Sequence, residues 1–308
     1  MHTMSSKIIR SVMVAAIACL LSPLASLSLA SEGVKVRVLG TFTTDESMGW
    51  LKQPSGLFYD ESKKRLYIAD SSNKRIVSLD SNLKYLADLS RDEVVLPIGV
   101  VKDSKGIFYV VDAEAAGVFV CDVKKEHAEP LQLTGVPQGV DIFIPGRIAI
   151  DKEDRLYIID KLNNRILIVD TSGSFVRSVT IKDADFSGFT DIRVDDEGYL
   201  YALDTVNGKV HVFDNKGSVV SSFGGRSKDR FLFPTSLAVG KNGLVYVLDG
   251  HAGRILVFNR AGGVQYAISK KGVKEGELSN PSYIWVDESS NIYLIDGNRI
   301  QVLKEERE

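Results

Sequence analysis

Short apolar runs separated by polar turns recur along almost the whole chain. In residues 156–170, LYIIDKLNNRILIVD, two runs rich in β-branched residues flank a polar turn at 160–165. Each run has strand length and is bounded by turn formers, so the stretch predicts a β-hairpin. Asp160 and Asn163 lie in the turn, where short polar side chains bond nearby backbone. The first run carries a signature, apolar–Tyr–apolar–apolar–Asp. It ends at Asp70, Asp112, Asp160, Asp204, Asp249 and Asp296, with spacings of 42, 48, 44, 45 and 47 residues. Six of the 11 tyrosines occupy the same place in it. A period in this range marks a solenoid, a propeller or an array.

Around each signature the pattern predicts four antiparallel strands. PSGLFYD, RLYIAD, RIVSLD and KYLADL form the first unit; Pro97, Pro145, Pro234 and Pro281 open four others, and the fourth unit starts at Phe189-Thr190 without a proline. The sixth unit is short. Its third strand, 300–303, is followed only by the charged tail KEERE, while residues 35–39 alternate as a strand with no unit of their own. Joining the two closes a ring and covers strand edges that a linear array would expose. The expected fold is therefore all-β: a six-bladed β-propeller of four-stranded antiparallel blades, with the N-terminal strand closing the last blade.

The repeat Pro-x-Gly-apolar-x-x-Asp, then Tyr-apolar-x-Asp, then Asn-x-Arg-Ile resembles the NHL repeat. Pro54, Gly56, Asp70, Asn73 and Arg75 carry the resemblance in the first unit, and Pro145, Asp160, Asn163 and Arg165 in the third. It spans residues 34–303. It implies a propeller and leaves function open, because that family includes binding modules, receptor sensor domains, RNA-binding modules and a few metal-dependent lyases.

The first thirty residues differ in kind. Lys7 and Arg10 precede an apolar run at 11–21, and Ser28-Leu29-Ala30 supplies small residues at a cleavage position. This is the layout of a secretory signal peptide, with residues 31–308 as one mature domain. Ser22 and Pro23 interrupt the run short of a membrane span, so no stable span is expected after cleavage. Cys19 could instead accept a lipid, but the hydrophobic stretch after it argues against that. The expected location is extracytoplasmic, either periplasmic or secreted. Losing Lys7 and Arg10 leaves 36 basic and 40 acidic side chains, a net charge of −4, which gives no reason to expect nucleic acid as a partner. Only Cys121 remains, so the fold must stand on its core rather than on a disulfide.

The six repeated aspartates invite a catalytic reading, yet a role present in every unit is structural. Asp70, Asp160, Asp204 and Asp249 are each followed five residues later by Arg75, Arg165, Lys209 and Arg254, a spacing that predicts a carboxylate capping its turn and meeting a cation. The repeated tyrosines read as packing between blades, each hydroxyl finding a partner. His127, His211 and His251 fall at unrelated repeat positions, so no metal is expected, and residues 195–198 read as a surface turn rather than a calcium loop. Cys121 reads as a buried inert thiol. No nucleophile elbow, P-loop or dinucleotide fingerprint occurs, and no cofactor is expected.

The candidate site comes from departures from the repeat. Where Gly56 and Gly99 stand in the first two units, later units carry Arg147, Asp191, Ser236 and Tyr283; two positions further on stand Arg193 and Trp285. The first strand of a blade lies nearest the channel, so Arg147, Asp191, Arg193, Tyr283 and Trp285 are expected at one channel mouth as a ligand-binding surface, or else as packing between blades. Loops with Arg226, Lys228 and Arg230, and with Lys270, Lys271 and Lys274, would give that face a basic rim. The expected function is an exported binding or scaffold module for a protein, peptide or glycan at the channel mouth. The alternative is an extracytoplasmic lyase or hydrolase at that mouth.

Overall fold

A computed structural model describes residues 34–137, 142–225 and 231–306. The signal layout of residues 1–30, Cys19 included, and Arg226, Lys228 and Arg230 lie outside the described residues.

Six four-stranded antiparallel sheets form six blades. Blade 1 comprises Pro54–Asp60, Arg65–Asp70, Arg75–Asp80 and Tyr85–Leu89. Blade 2 comprises Pro97–Lys102, Phe108–Asp112, Gly117–Cys121 and the two-residue strand Glu129–Pro130. Blade 3 runs Pro145–Ile150, Leu156–Asp160, Arg165–Val169 and Phe175–Val179; blade 4 runs Asp191–Val194, Leu200–Asp204, Lys209–Phe213 and Val219–Gly224. Blade 5 runs Pro234–Val239, Val245–Asp249, Arg254–Phe258 and Val264–Ile268. Blade 6 takes Pro281–Val286, Asn291–Asp296 and Arg299–Glu305, and its fourth strand is the N-terminal Val36–Phe42.

The ring closes as the sequence predicts, with longer strands. Val36 pairs with Glu305 and Phe42 with Ile300, and a register shift between Val38 and Gly40 bends the strand. The charged tail expected after residue 303 is drawn into the ladder because Val36–Phe42 offers it backbone partners, and Tyr266 donates its hydroxyl to Glu305 at 2.9 Å. Residues 44–50 contain a small ribbon of Thr44–Asp45 against Gly49–Trp50.

Every second strand is buried along its whole length from signature apolar residue to Asp, for example Leu156–Asp160 and Leu200–Asp204. A central strand sandwiched between two neighbouring blades has no solvent face, so it reads as a continuous apolar run rather than an alternation. Outer strands alternate or are mostly exposed, as in Tyr85–Leu89. Gly56 is required by close approach: a Cβ there would sit 2.9 Å from the Ile98 carbonyl oxygen of the next inner strand.

Chain direction fixes the two faces. The loops entering each inner strand and the turns between second and third strands share one face, here called the loop face. The turns leaving the inner strands share the other. The repeated aspartates knit the loop face together. Asp112 accepts from the Val95 and Leu96 N–H groups at 2.7 and 2.6 Å, Asp249 from Leu232 and Phe233 at 2.8 and 2.9 Å, and Asp296 from Ser279 and Asn280 at 3.0 and 2.6 Å. Each carboxylate thus ties an entry loop to the hairpin turn of its own blade. Arg75 and Arg165 meet Asp70 and Asp160 at 2.9 Å, and Arg254 approaches Asp249 at 3.9 Å. Asp204 holds its turn through Asn207 instead, accepting its N–H and its amide at 2.9 and 2.8 Å.

A second set of carboxylates, at the ends of inner strands, emerges only in three dimensions. Tyr157, Tyr201 and Tyr293 donate their hydroxyls to Asp151, Asp195 and Asp287, each at 3.0 Å, and Tyr109 reaches Asp103 at 3.3 Å. These aspartates also accept turn N–H groups, as Asp195 does from Glu197 and Tyr199. The hydroxyl of a tyrosine packed between blades is satisfied this way without exposing the ring.

Candidate functional site

The five candidate residues do come together, but not as a decorated mouth. They run through the channel. Asp191 is completely buried, Arg193 is 6% exposed and Tyr283 3% exposed. Asp191 stands 3.0 Å from the Arg147 guanidinium through Oδ2 and 3.0 Å from that of Arg193 through Oδ1. The Arg147 contact is a charge contact outside directional hydrogen-bond geometry, since the same Nη1 has no hydrogen-bond partner. Ser236 donates its hydroxyl to Asp191 at 2.5 Å, and the Leu237 and Ile192 N–H groups donate at 2.9 and 3.0 Å.

The arginines cross the channel. Arg147 of blade 3 donates to the Ser282 carbonyl of blade 6 at 3.1 Å, and Arg193 of blade 4 to the Ile284 carbonyl at 3.1 Å. Both guanidinium groups lie over the Tyr283 ring, at 4.3 and 4.8 Å from its centre, and Arg193 also lies 5.1 Å from that of Trp285. Trp285 meets Phe58 of blade 1 edge-on at 5.5 Å. At the positions of Gly56 and Gly99 the other four blades carry the larger Arg147, Asp191, Ser236 and Tyr283. The result is a plug of one carboxylate, two guanidinium groups and two aromatic rings.

Electrostatics inside the plug are set by burial and pairing together. Burial pushes the Asp191 carboxyl up, but Arg147, Arg193, the Ser236 hydroxyl and the Leu237 N–H overcome it and hold the group below its ordinary value. Burial disfavours the Arg193 cation, and Asp191 reverses that. The Tyr283 phenol is raised, chiefly by burial.

Two shallow cavities flank the plug. On the loop face, about 330 Å³ is lined by Gln53, Ser55, Arg147, Asn280, Ser282 and Asn298, all polar, with Arg147 the cation among them. On the other face, about 190 Å³ is lined by Trp285, by the carboxylates of Glu61, Asp195, Glu197, Asp287 and Glu288, and by Lys241 and Arg260, which pair with some of them. Arg147 therefore belongs to one mouth and Trp285 to the other.

The histidines and Cys121 lie apart from the plug. His211 is buried, bonds the Ser222 hydroxyl at 2.9 Å and lies edge-on to Phe186 and Phe189. His251 stacks on Phe233 and His127 is exposed beside Glu93. Among the described residues no group of histidine, cysteine and carboxylate side chains is arranged to hold a metal ion. Residues 195–198 form a turn closed by Gly198 donating to the Asp195 carbonyl. Burial pushes the Cys121 thiol up to about 11, which keeps it protonated and inert. Of the proposed basic rim, Lys270 pairs with Glu277 at 3.4 Å and Lys271 donates to the His251 carbonyl.

Burial lowers His211 below its ordinary value of 6.5. The unfolded chain therefore binds a proton more readily than the folded one, so stability falls as pH drops below about 6.5 and is regained above it. Melting of the wild type should decline between pH 7 and 5, and His211→Phe should flatten that decline. An identical slope in the variant would assign the pH dependence elsewhere.

Residues 231–258, which run through the first three strands of blade 5, match the NHL repeat. The chain is a six-bladed β-propeller that carries an NHL repeat. The matched unit is the fifth rather than the first or third, which carry more of the motif residues. No curated protein matches the sequence significantly. Among solved structures the propeller is similar to virginiamycin B lyase from Staphylococcus aureus, at 12% identity and a TM-score of 0.64 over 88% of this chain and 99% of that one. It is similar to a streptogramin B lyase at 13% identity and 0.64 over 89% and 98%, and to the Cps50 (Swd1) β-propeller domain of Myceliophteria thermophila at 16% and 0.62 over 88% and 91%. At these identities the likeness is one of fold. Among the described residues no helix is long and apolar enough to cross a membrane.

Proposed function

We propose that this propeller is an exported, non-catalytic binding module that engages a protein partner through its loop face. The observation that supports this most is a set of exposed large apolar side chains on the loop face, whereas Leu39, Leu86, Val176, Val219 and Val220 lie on outer strands and Val123 in a turn of the other face. Trp50, Ile142, Ile144, Leu162, Val206, Leu232 and Val273 all sit on entry loops or second-to-third-strand turns, with Ile142 70% and Val273 78% exposed. They share that face with the polar mouth that holds Arg147. Exposed apolar side chains on the same face as a polar centre with one arginine are the composition of a recognition surface, with aromatic and arginine anchors supplying most of the affinity. The signal layout at Lys7, Arg10 and residues 28–30 supports export.

The structurally similar lyases raise the alternative of catalysis in the channel. In this chain Asp191 already receives two guanidinium groups, a hydroxyl and two N–H groups, which leaves it poorly placed to move a proton. Its neighbours Arg193 and Tyr283 are buried with it and support Arg147 from beneath.

The test is affinity capture from the exported fraction with wild type and with Leu162→Asp/Val206→Asp/Val273→Asp. These side chains are exposed, so melting should be unchanged while the affinity of a captured protein falls about thirtyfold or more. Arg147→Ala should weaken it further. Equal capture by the triple variant would remove the loop face from consideration, and turnover of a streptogramin by the wild type would favour the lyase reading.

A further inference from the structure

Between blades 1 and 2, away from the channel, lies a cleft of about 600 Å³. No charged side chain from a third-strand turn fills it, unlike the junction of blades 4 and 5. At the junction of blades 4 and 5, Arg260 in the turn after a third strand reaches Tyr201 Oη at 2.9 Å and Asp195 and Glu197 at 3.1 and 2.9 Å. The equivalent turn position in blade 2 is Val123, which has no charge to offer. Blade 1 also carries one extra residue between Asp60 and its signature tyrosine. Asp60 is taken by Lys102 at 2.5 Å and by the Ser62 hydroxyl at 2.6 Å. The hydroxyl of Tyr67, which lines the cleft, is left without the carboxylate that Tyr109, Tyr157, Tyr201 and Tyr293 have.

The cleft is amphipathic. Tyr67, Ile76, Leu89, Ile107 and Phe108 give it an apolar floor, with Tyr67 and Phe108 edge-to-face at 4.9 Å. Arg65, Arg91, Lys105 and Lys124 line it, and among the described residues none of these four forms an ion pair. Its two carboxylates are engaged: Asp88 lies 3.3 Å from Arg75, and Asp122 accepts the Lys124 N–H at 2.9 Å. Arg91 is fixed by donating to the Ser90 and Lys125 carbonyls at 2.7 and 2.8 Å, while its buried Nε has no partner. An excess of unpaired cations over an apolar floor, in a volume typical of small-molecule sites, favours one ligand class.

We propose that this cleft binds a small amphiphilic organic anion, its carboxylate or phosphate held by Arg91, Lys105 and Lys124 and its alkyl or aryl body laid over Tyr67, Ile76 and Phe108. The site is distinct from the loop face and does not depend on its reading. Tyr67 Oη adds a hydrogen bond to the head group. Desolvated guanidinium contacts to an anion are the strong ones, and the apolar body supplies area that a bare inorganic ion lacks.

Titration calorimetry of the purified full chain with decanoate, 1-naphthoate, 1-naphthol and inorganic phosphate tests this. We expect saturable binding of a carboxylate at micromolar Kd, at least about tenfold tighter than the neutral alcohol or phosphate. The tighter of decanoate and 1-naphthoate identifies an aliphatic or an aromatic ligand. Lys105→Glu/Lys124→Glu alters two exposed side chains and should weaken binding roughly tenfold with melting unchanged; Tyr67→Phe should weaken it by about threefold. No saturation at millimolar concentration, phosphate binding as tightly as the carboxylates, or equal affinity in both variants would overturn the proposal.

Discussion

Asp191→Ala is expected to cost about 3–5 kcal/mol and to lower the melting temperature by roughly 10 °C. The substitution removes the one carboxylate that meets both Arg147 and Arg193, leaving the buried Arg193 guanidinium unpaired beside a second guanidinium over the same Tyr283 ring. An uncompensated buried charge cannot be rehydrated without opening the ring. Replacing the whole cluster, as Arg147→Met/Asp191→Leu/Arg193→Met, should recover most of the loss, because a buried ion cluster and a well-packed apolar one differ little in net stability. Linkage gives a second readout. The folded carboxyl lies below its ordinary 3.8, so its contribution is present above that value and fades as the pH falls through the lowered one. The gap between wild type and Asp191→Ala should therefore narrow only in strong acid. Thermal melts across pH 2 to 7 would check both expectations, and an Asp191→Ala protein melting with wild type at pH 7 would rule out a structural role for the plug.

Deleting residues 34–42 is expected to open the ring. The edge of Arg299–Glu305 would lose its ladder with Val36–Phe42, half-buried Val36 and Val38 would leave the junction of blades 5 and 6, and buried Phe42 the junction of blades 6 and 1. Stability should fall by ~5 kcal/mol, roughly 10–20 °C in melting temperature, and the bare edge should pair between molecules, giving concentration-dependent dimers or aggregates in sizing experiments. A monomer of unchanged melting temperature would show that the N-terminal strand is not the clasp.

The repeat itself was legible in the sequence because each second strand must be apolar on both faces, and this forces the same short run, with Tyr and Asp at fixed places, six times. Closure was legible from what was left over: a strand without a blade and a blade without a strand. The roles of Asp70, Asp160 and Asp249 followed from their five-residue spacing to arginine, which a hairpin turn converts into contact. Lys209 has the same spacing, yet Asp204 is held by Asn207, and only in the first and third blades do the turn asparagine and the arginine bond the same aspartate.

What the tertiary structure decided concerns residues far apart in sequence. Arg147, Asp191, Arg193, Tyr283 and Trp285 could be picked out as departures from the repeat, but their depth could not. Opposite blades face one another across a channel narrow enough for one arginine to span, and a carboxylate between two guanidinium groups is stable there without water. Those residues therefore close the channel instead of decorating a mouth. The tyrosine–aspartate pairs at the inner-strand ends, the exposed apolar side chains on the loop face and the cleft beside Tyr67 were equally hidden. Each depends on which blade a side chain faces, and a period in the sequence fixes the strands but not their neighbours across the ring.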